Sequence, residues 1–272
     1  MEQRLRAAMA AIKGVKIPDL PKEVFELQQA LQCKFPNNQD IANIISANTK
    51  LSGEVLRIVN SPIMKLKRQV NSIREAVDSL GYANLKNLVL AAALKNIFNT
   101  REVLEIIEHS KDVAFCCAEL SEYVDGVSRD EAYLIGLFHN GGALLLATKE
   151  PETYPKFFSL TNSSPISGVH KEIEKYGTSH MDIGILLGQR WKLPVEMLNV
   201  IMHHHTERND MGQEKIRGMM AMVKISNMIV NEISLGSYIT EEAKSYLKNA
   251  QQELLLDPET INQIRRILIS SL

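Results

Sequence analysis

From Tyr133 to Ala147 the chain reads Tyr-Leu-Ile-Gly-Leu-Phe-His-Asn-Gly-Gly-Ala-Leu-Leu-Leu-Ala. A run this apolar must be wrapped by the rest of the molecule, yet an imidazole, an amide and two glycines stand at its centre. Buried there, His139 and Asn140 need partners, because an unsatisfied polar group in a core costs roughly 1–3 kcal/mol. Neighbouring side chains on a helix point about 100° apart, so a regular helix cannot aim both at one spot. Gly141 and Gly142 lower helix propensity by roughly 1 kcal/mol each and permit a bend or a close backbone approach. Two readings follow. In one, a helix ends at Gly141-Gly142 and His139 bonds a nearby carbonyl. In the other, His139 and Asn140 form the floor of a pocket that faces a ligand or a metal. The stretch alone favours the first.

The remainder is dense in helix signals and has no convincing strand, which predicts an all-α fold. Pro21 opens a helix with Val24, Leu27 and Leu31 at helical spacing. Ile41, Ile44 and Ile45 mark a helix over 40–50, and Ser52 is placed to cap another over 54–59, stopped by Pro62. Ser72 with Glu75 is a capping box for residues 73–80, ended by Gly81, and Asn84 starts a Leu- and Ala-rich helix to Phe98. Ser128 with Glu131 is a second capping box, leading into the His139 helix. Residues 148–178, with Pro151, Pro155 and Pro165 among Ser, Thr and Asn, read as a loop with short helical pieces at most, a candidate lid or partner surface. Thr178 or Ser179 caps a helix to Trp191, and Pro194 opens one that ends in His203-His204-His205. Gln213 to Ile233 is Met-rich, and Thr240 and Asp257-Pro258 start two final helices. A soft boundary near 99–101 divides two helical parts.

The chain of 272 residues carries 31 basic and 32 acidic groups, a net charge of −1, so no global field draws it to nucleic acid or membrane. No uninterrupted apolar run reaches the ~18 residues of a membrane span, and the N-terminus lacks a hydrophobic signal core. Cys33, Cys116 and Cys117 form neither a disulfide framework nor a CxxC pattern, and read as reduced, buried thiols of a cytoplasmic protein. Lys65, Lys67, Arg68 and Arg74 make a small basic patch that reads as a solvated surface, so specific nucleic-acid binding is not expected. Met219, Met220, Met222 and Met228 could line an adaptable face, but at helical spacing they read as core. No nucleophile elbow or Gly-rich phosphate loop is present.

All the histidines lie beyond the 99–101 boundary. His109, His139, His180, His204 and His205 can converge if their helices pack round one cavity, and neutral imidazole is the commonest metal ligand. Their spacing resembles the HD phosphohydrolase superfamily, in which a helix His, a His-Asp pair, further His and a late Asp recur. His109 stands at the first His, His139-Asn140 at the His-Asp pair, His180 at an intermediate His, His204-His205 at the paired His of the HD-GYP branch, and Asn227 at the late Asp. The chain more closely resembles HDOD-domain proteins, a bacterial signalling branch related to HD-GYP. That resemblance is carried by Leu20-Pro21, residues 45–51, Leu56 through Asn60-Ser61-Pro62, Ser72 to Val77 with Leu80-Gly81, Gly136 to His139, and Trp191-Lys192-Leu193-Pro194. It spans roughly residues 17–210 and implies an all-helical, HD-like core behind an extra helical subdomain.

The departures carry as much weight. Asn140 and Asn227 replace both carboxylates of the HD pattern, and a neutral amide oxygen supplies neither the charge nor the two oxygens of a carboxylate. Such a loss cripples a bridged two-metal site. Ala143 stands where catalytic relatives carry a Lys, and Thr206-Glu207-Arg208-Asn209-Asp210 contains no Gly-Tyr-Pro. The resemblance therefore implies a degenerate metal site and a cytoplasmic regulatory protein that binds a signalling protein partner, without catalytic residues. The rival reading is a metal-dependent phosphohydrolase acting on a nucleotide or phosphodiester, and a third is a nucleotide sensor without turnover. The expected parts are an N-terminal helical subdomain at 17–99, the HD-like core at 100–232 and a helical tail at 233–272. The pocket candidates are His109, His139, Asn140, His180, His204, His205 and Asn227. No cofactor is expected; an adventitious divalent ion, if held, would fall to His109, His139, His180 and His204.

Overall fold

The structure, a computed structural model, describes residues 2–207, 212–235 and 240–271, and among these every regular element is helical. The front part is α1 (Glu2–Ala11), α2 (Lys22–Ala30), α3 (Asn38–Ser46), α4 (Thr49–Val59) and α5 (Ile73–Ile97). The histidine-bearing part follows as α6 (Leu104–Leu120), α7 (Arg129–Phe138), α8 (Gly141–Lys149), α9 (Tyr154–Ser163), α10 (Ser167–Tyr176), α11 (His180–Arg190), α12 (Val195–His203) and α13 (Glu214–Leu235). Then come α14 (Glu241–Glu253) and α15 (Pro258–Ser271). None of the helices is long and apolar enough to cross a membrane.

Local chemistry sets most of these boundaries. Ser72 accepts from the Glu75 amide at 3.1 Å, while the Glu75 carboxylate accepts from Asn71 N at 2.9 Å, a capping box displaced by one residue. Gly81, at φ 75°, breaks α5 into the two helices that its sequence predicts. Pro21 and Pro194 stand at the N-caps of α2 and α12, and the Thr240 hydroxyl caps α14. Two assignments change. Asn48, not Ser52, caps α4, accepting from Leu51 N at 3.0 Å. Ser128 makes no capping bond, and Glu131 is engaged instead by Lys215 at 2.8 Å.

One hydrophobic core runs from Ala8 to Leu268 and crosses the 99–101 boundary, with α7 packed between α5 and α6. Met219, Met220, Met222 and Met228 lie inside it or in a small satellite cluster. Cys116 and Cys117 are buried, but Cys33 is exposed, contrary to the expectation of three buried thiols. Half of the basic patch is already committed, since Lys65 pairs with Glu119 and Glu122, and Arg74 with Asp78.

The largest correction concerns residues 148–178, which form two ten-residue helices rather than a loop. The prolines that suggested a loop sit where helices tolerate them: Pro155 is in the first turn of α9, and Pro165 lies in the α9–α10 turn. Gly177, at φ 71°, closes α10 in the left-handed conformation. This hairpin is a wall of the histidine centre, so it is not a detachable lid.

Candidate functional site: a buried histidine centre

The helix into His139 ends at Phe138, and a new one begins at Gly141, so His139 and Asn140 occupy the corner between α7 and α8. The corner is forced by close approach. A Cβ on Gly142 would stand 1.9 Å from the His180 carbonyl oxygen and 2.6 Å from Gly184 N, so α8 and α11 touch backbone to backbone. A Cβ on Gly136 would meet Ala114 Cα at 2.6 Å, which sets α7 equally hard against α6. The glycines therefore start a helix and admit its neighbour, whereas the sequence reading placed a helix end there.

His109 on α6, the His139 corner, His180 at the start of α11, the His204-His205 pair after α12 and Asn227 on α13 come together. The His139 and His204 rings lie 5.2 Å apart, His180 and His205 5.0 Å, and His204 and His205 4.4 Å. Asn227 Oδ1 stands 2.9 Å from His109 Nε2 and 3.1 Å from His139 Nε2, bridging the two. His139, His204, His180, Asn140, Asn227 and His205 are all buried, and His109 is partly so. Asn140 is adjacent in the corner, with an Nδ2 that has no partner.

The hydrogen bonds set the tautomers. His139 Nδ1 lies 2.6 Å from Gly136 O, His204 Nδ1 2.9 Å from Ile201 O, and His180 Nδ1 2.9 Å from Glu172 Oε2. Each of these oxygens only accepts, so each Nδ1 carries the proton and each Nε2 turns a lone pair inward. A neutral His139 then takes a hydrogen bond at Nε2 when the Asn227 amide is turned so that its NH2 faces both rings. His180 Nε2 and His204 Nε2 face each other at 3.3 Å, so a proton or a cation must lie between their lone pairs to make the contact favourable.

Burial pulls His109 down to about 4 and His139 to about 3, the latter helped by the neighbouring His109 ring. His204 and His205 are pulled well below the ordinary imidazole value, first by burial and then by neighbouring rings, His205 and His139 for the one and His180 and His139 for the other. The centre is thus a cluster of mostly neutral nitrogens, the form that binds metal.

The donor set decides which metal site fits. His180, His204 and His205 can present one nitrogen each, all within 4.8 Å of one another. The 3.3 Å between His180 and His204 matches the edge of a tetrahedron with about 2.0–2.1 Å zinc–nitrogen bonds. His205 is held by a backbone bond to Pro165 while its buried Nδ1 has no partner. A single borderline divalent ion such as zinc fits these three imidazoles. A bridged pair of ions does not, because Asn140 and Asn227 supply no charge. The sequence reading grouped His109 and His139 with His180 and His204 as the fallback ligands; the structure ties those two to Asn227 and puts His205 beside the other pair.

Sequence reasoning missed three residues that hold the centre. Glu172 on α10, wholly buried, accepts from the His180 amide at 3.0 Å, from His180 Nδ1 and from the Tyr154 hydroxyl at 2.7 Å. It is a carboxylate behind a ligand histidine, the arrangement that raises ligand basicity and fixes the ring. The Tyr246 hydroxyl donates to the His204 carbonyl. Glu172 lies three residues after Val169 and four before Tyr176, a helical spacing visible in the sequence once α10 is taken as a helix. Glu172→Gln should lower stability by about 1–3 kcal/mol, because an amide NH2 replaces one accepting oxygen before buried donors. Unchanged urea midpoints in the variant would refute this role.

A profile of the HDOD domain matches residues 17–207. A protein of Treponema pallidum (strain Nichols) is 25% identical over 227 residues, covering 82% of this chain and 44% of its own length, so the chain spans less than half of that relative. The fold is similar to the crystal structure of an HDOD domain protein from Geobacter sulfurreducens, with TM-score 0.68, 21% identity, and 98% and 97% of the two chains covered. It is also similar to a Marinobacter aquaeolei protein provisionally named for signal transduction, with TM-score 0.68, 18% identity, and 99% of this chain and 62% of that one covered. A Shewanella amazonensis protein provisionally named a metal-dependent phosphohydrolase gives TM-score 0.67 at 19% identity, with 98% of each chain covered. With the matching profile over most of its length and the same helical architecture, the chain belongs to the HDOD-domain family.

Proposed function

We propose that this chain is a bacterial, cytoplasmic regulatory protein that acts by binding a signalling protein partner, and that its histidine centre is structural or ligand-holding rather than hydrolytic. The observation that carries this reading is the pair of amides at the two carboxylate positions, with Asn227 engaged between His109 and His139. Without two anionic ligands there is no bridged pair of ions to position an attacking hydroxide. Burial adds a second reason. His139 and His204 are 0% exposed and His180 is 1% exposed, so their inward nitrogens face the protein interior rather than solvent. The name borne by the Marinobacter neighbour agrees with a signalling role, and that of the Shewanella neighbour keeps hydrolysis as the rival.

The test uses protein purified without chelator and assayed on bis(p-nitrophenyl) phosphate and p-nitrophenyl phosphate with added Mn²⁺, Mg²⁺ or Zn²⁺. The expected result is no turnover above the metal-only blank, whether or not elemental analysis finds one bound ion. Turnover that is removed by chelator and by His180→Ala would establish the rival. A nucleotide that raises the melting temperature without being consumed would instead support the sensor reading.

A further inference from the structure

A second site stands apart from the histidines. A cavity of about 520 Å³ opens among α4, α5, α6, α7 and α15, and none of its lining residues belongs to the centre described above. Its size falls within the roughly 300–1,000 Å³ of small-molecule pockets. Its lining includes apolar side chains, among them Ile63, Phe115 and Leu268. The lining also carries the polar groups of Arg57, Lys95, Lys111, Asp112 and Tyr133.

The polar groups differ in what they lack. Arg57 is held by both oxygens of Glu54 at 2.8 Å, Lys95 lies 2.5 Å from Glu54, and Lys111 pairs with Glu108. Asp112, in contrast, makes no hydrogen bond or ion pair among the described residues, nor does the hydroxyl of Tyr133, although Tyr133 is only 7% exposed. Burial accordingly pushes the Asp112 carboxyl up to about 6 and the Tyr133 hydroxyl above its ordinary range. A hydroxyl and a half-buried carboxyl that have no protein partner and open into the cavity are groups that a ligand can engage in place of water.

We propose that this cavity binds a small zwitterion with an apolar body, of the class of aromatic or aliphatic amino acids and apolar dipeptides. Its ammonium would pair with Asp112, its carboxylate would lie by Lys111 and Arg57 and accept from the Tyr133 hydroxyl, and its apolar body would cover Phe115, Ile63 and Leu268. A plain anion fits less well, because the cations are already neutralised by Glu54 and Glu108 and Asp112 repels it. A plain cation would pair with Asp112 but would leave the Tyr133 hydroxyl without an acceptor. Two of the walls are helices that also carry the first site: His109 is two residues before Lys111 on α6, and α7 runs from Tyr133 towards the His139 corner. A bound molecule would therefore press on the elements that position the histidines.

The test is isothermal titration of the full chain with L-phenylalanine, L-leucyl-L-phenylalanine, 3-phenylpropionate and 2-phenylethylamine. One-site, saturable binding is expected for at least one of the two zwitterions, about tenfold tighter than for either singly charged analogue, as the loss of one charge-assisted hydrogen bond implies. Asp112→Asn should weaken that binding by about tenfold and Tyr133→Phe several-fold, with unchanged helical circular dichroism. Arg74→Gln, away from the cavity, should leave it unaltered. The proposal is overturned if neither zwitterion binds saturably at millimolar concentration, if 3-phenylpropionate or 2-phenylethylamine binds as tightly, or if folded Asp112→Asn binds as the parent does. Should Asp112→Asn fail to fold, unaltered binding in Tyr133→Phe overturns it.

Discussion

Acidification from pH 7.5 to pH 5 is expected to cost the metal-free protein about 2 kcal/mol or more of stability through its buried imidazoles. His139 ionises at about 3 when folded, against 6.5 in the unfolded chain. Between those values the unfolded state binds the extra proton, so stability rises with pH across the window and is complete above about 6.5. Each pH unit below 6.5 then removes about 1.4 kcal/mol per such group, or about 2 kcal/mol for His139 at pH 5. His109, lowered to about 4, acts in the same sense but counts for less because it is only partly buried, and His204 and His205 add in the same direction. Asp112 opposes them. Its folded value of about 6 lies above the ordinary 3.8, so it gains stability as pH falls through 6, by less than about 1.4 kcal/mol at pH 5 because solvent screens a half-buried group. His139 and His109 together outweigh the one carboxyl, and His204 and His205 act in the same direction, so the net change is a loss of about 2 kcal/mol or more, a sizeable share of an ordinary domain's 5–15 kcal/mol. Urea midpoints measured with chelator present should be level above pH 6.5 and fall below it; a level line down to pH 5 would contradict the assignment. A metal ion held by neutral imidazoles should move the decline to lower pH.

Gly142→Ala is expected to destabilise the protein by about 3 kcal/mol or more, the upper end for overpacking. In an ordinary helix the same change is favourable by up to ~1 kcal/mol, because alanine is the better helix former. The sign reverses here because the new Cβ would lie 1.9 Å from the His180 carbonyl oxygen and 2.6 Å from Gly184 N, both backbone atoms. Backbone cannot rotate aside, so α8 and α11 must separate and carry His180 away from His204. Gly53→Ala on α4 is the internal control: Gly53 is exposed and nothing lies within 4 Å of its added Cβ. That substitution should raise the melting temperature slightly while Gly142→Ala lowers it by many degrees. Two variants that melt alike would show that α8 and α11 are not in backbone contact.

The sequence by itself determined the all-helical class, most helix starts and the company the histidines keep. Caps and periodicity act within a few residues, so Pro21, Ser72, Gly81, Pro194 and Thr240 state their roles locally. The amides at 140 and 227 were equally plain, since a side chain's charge is a property of the residue alone. Misreadings arose where one residue type serves two local structures. Pro155 inside the first turn of α9 and Pro165 just before α10 look, in sequence, like prolines in a loop, and that concealed both helices and with them Glu172. Ser128 has the spacing of a capping box, but Lys215 on a distant helix engages Glu131.

Only the tertiary structure decided how the centre is wired. Asn227 reaches His109 across 118 residues of sequence and His139 across 88, and His180 reaches His204 across 24. Which nitrogen carries a proton depends on the acceptor that packing places beside it, such as Gly136 O, Ile201 O or Glu172. Gly142 is needed because a second backbone passes within bonding distance of its missing side chain, a fact held in α11 and not in α8. The cavity walled by Asp112 and Tyr133 is of the same kind: α4, α6, α7 and α15 each contribute a face, and its unpaired groups exist only where those faces meet.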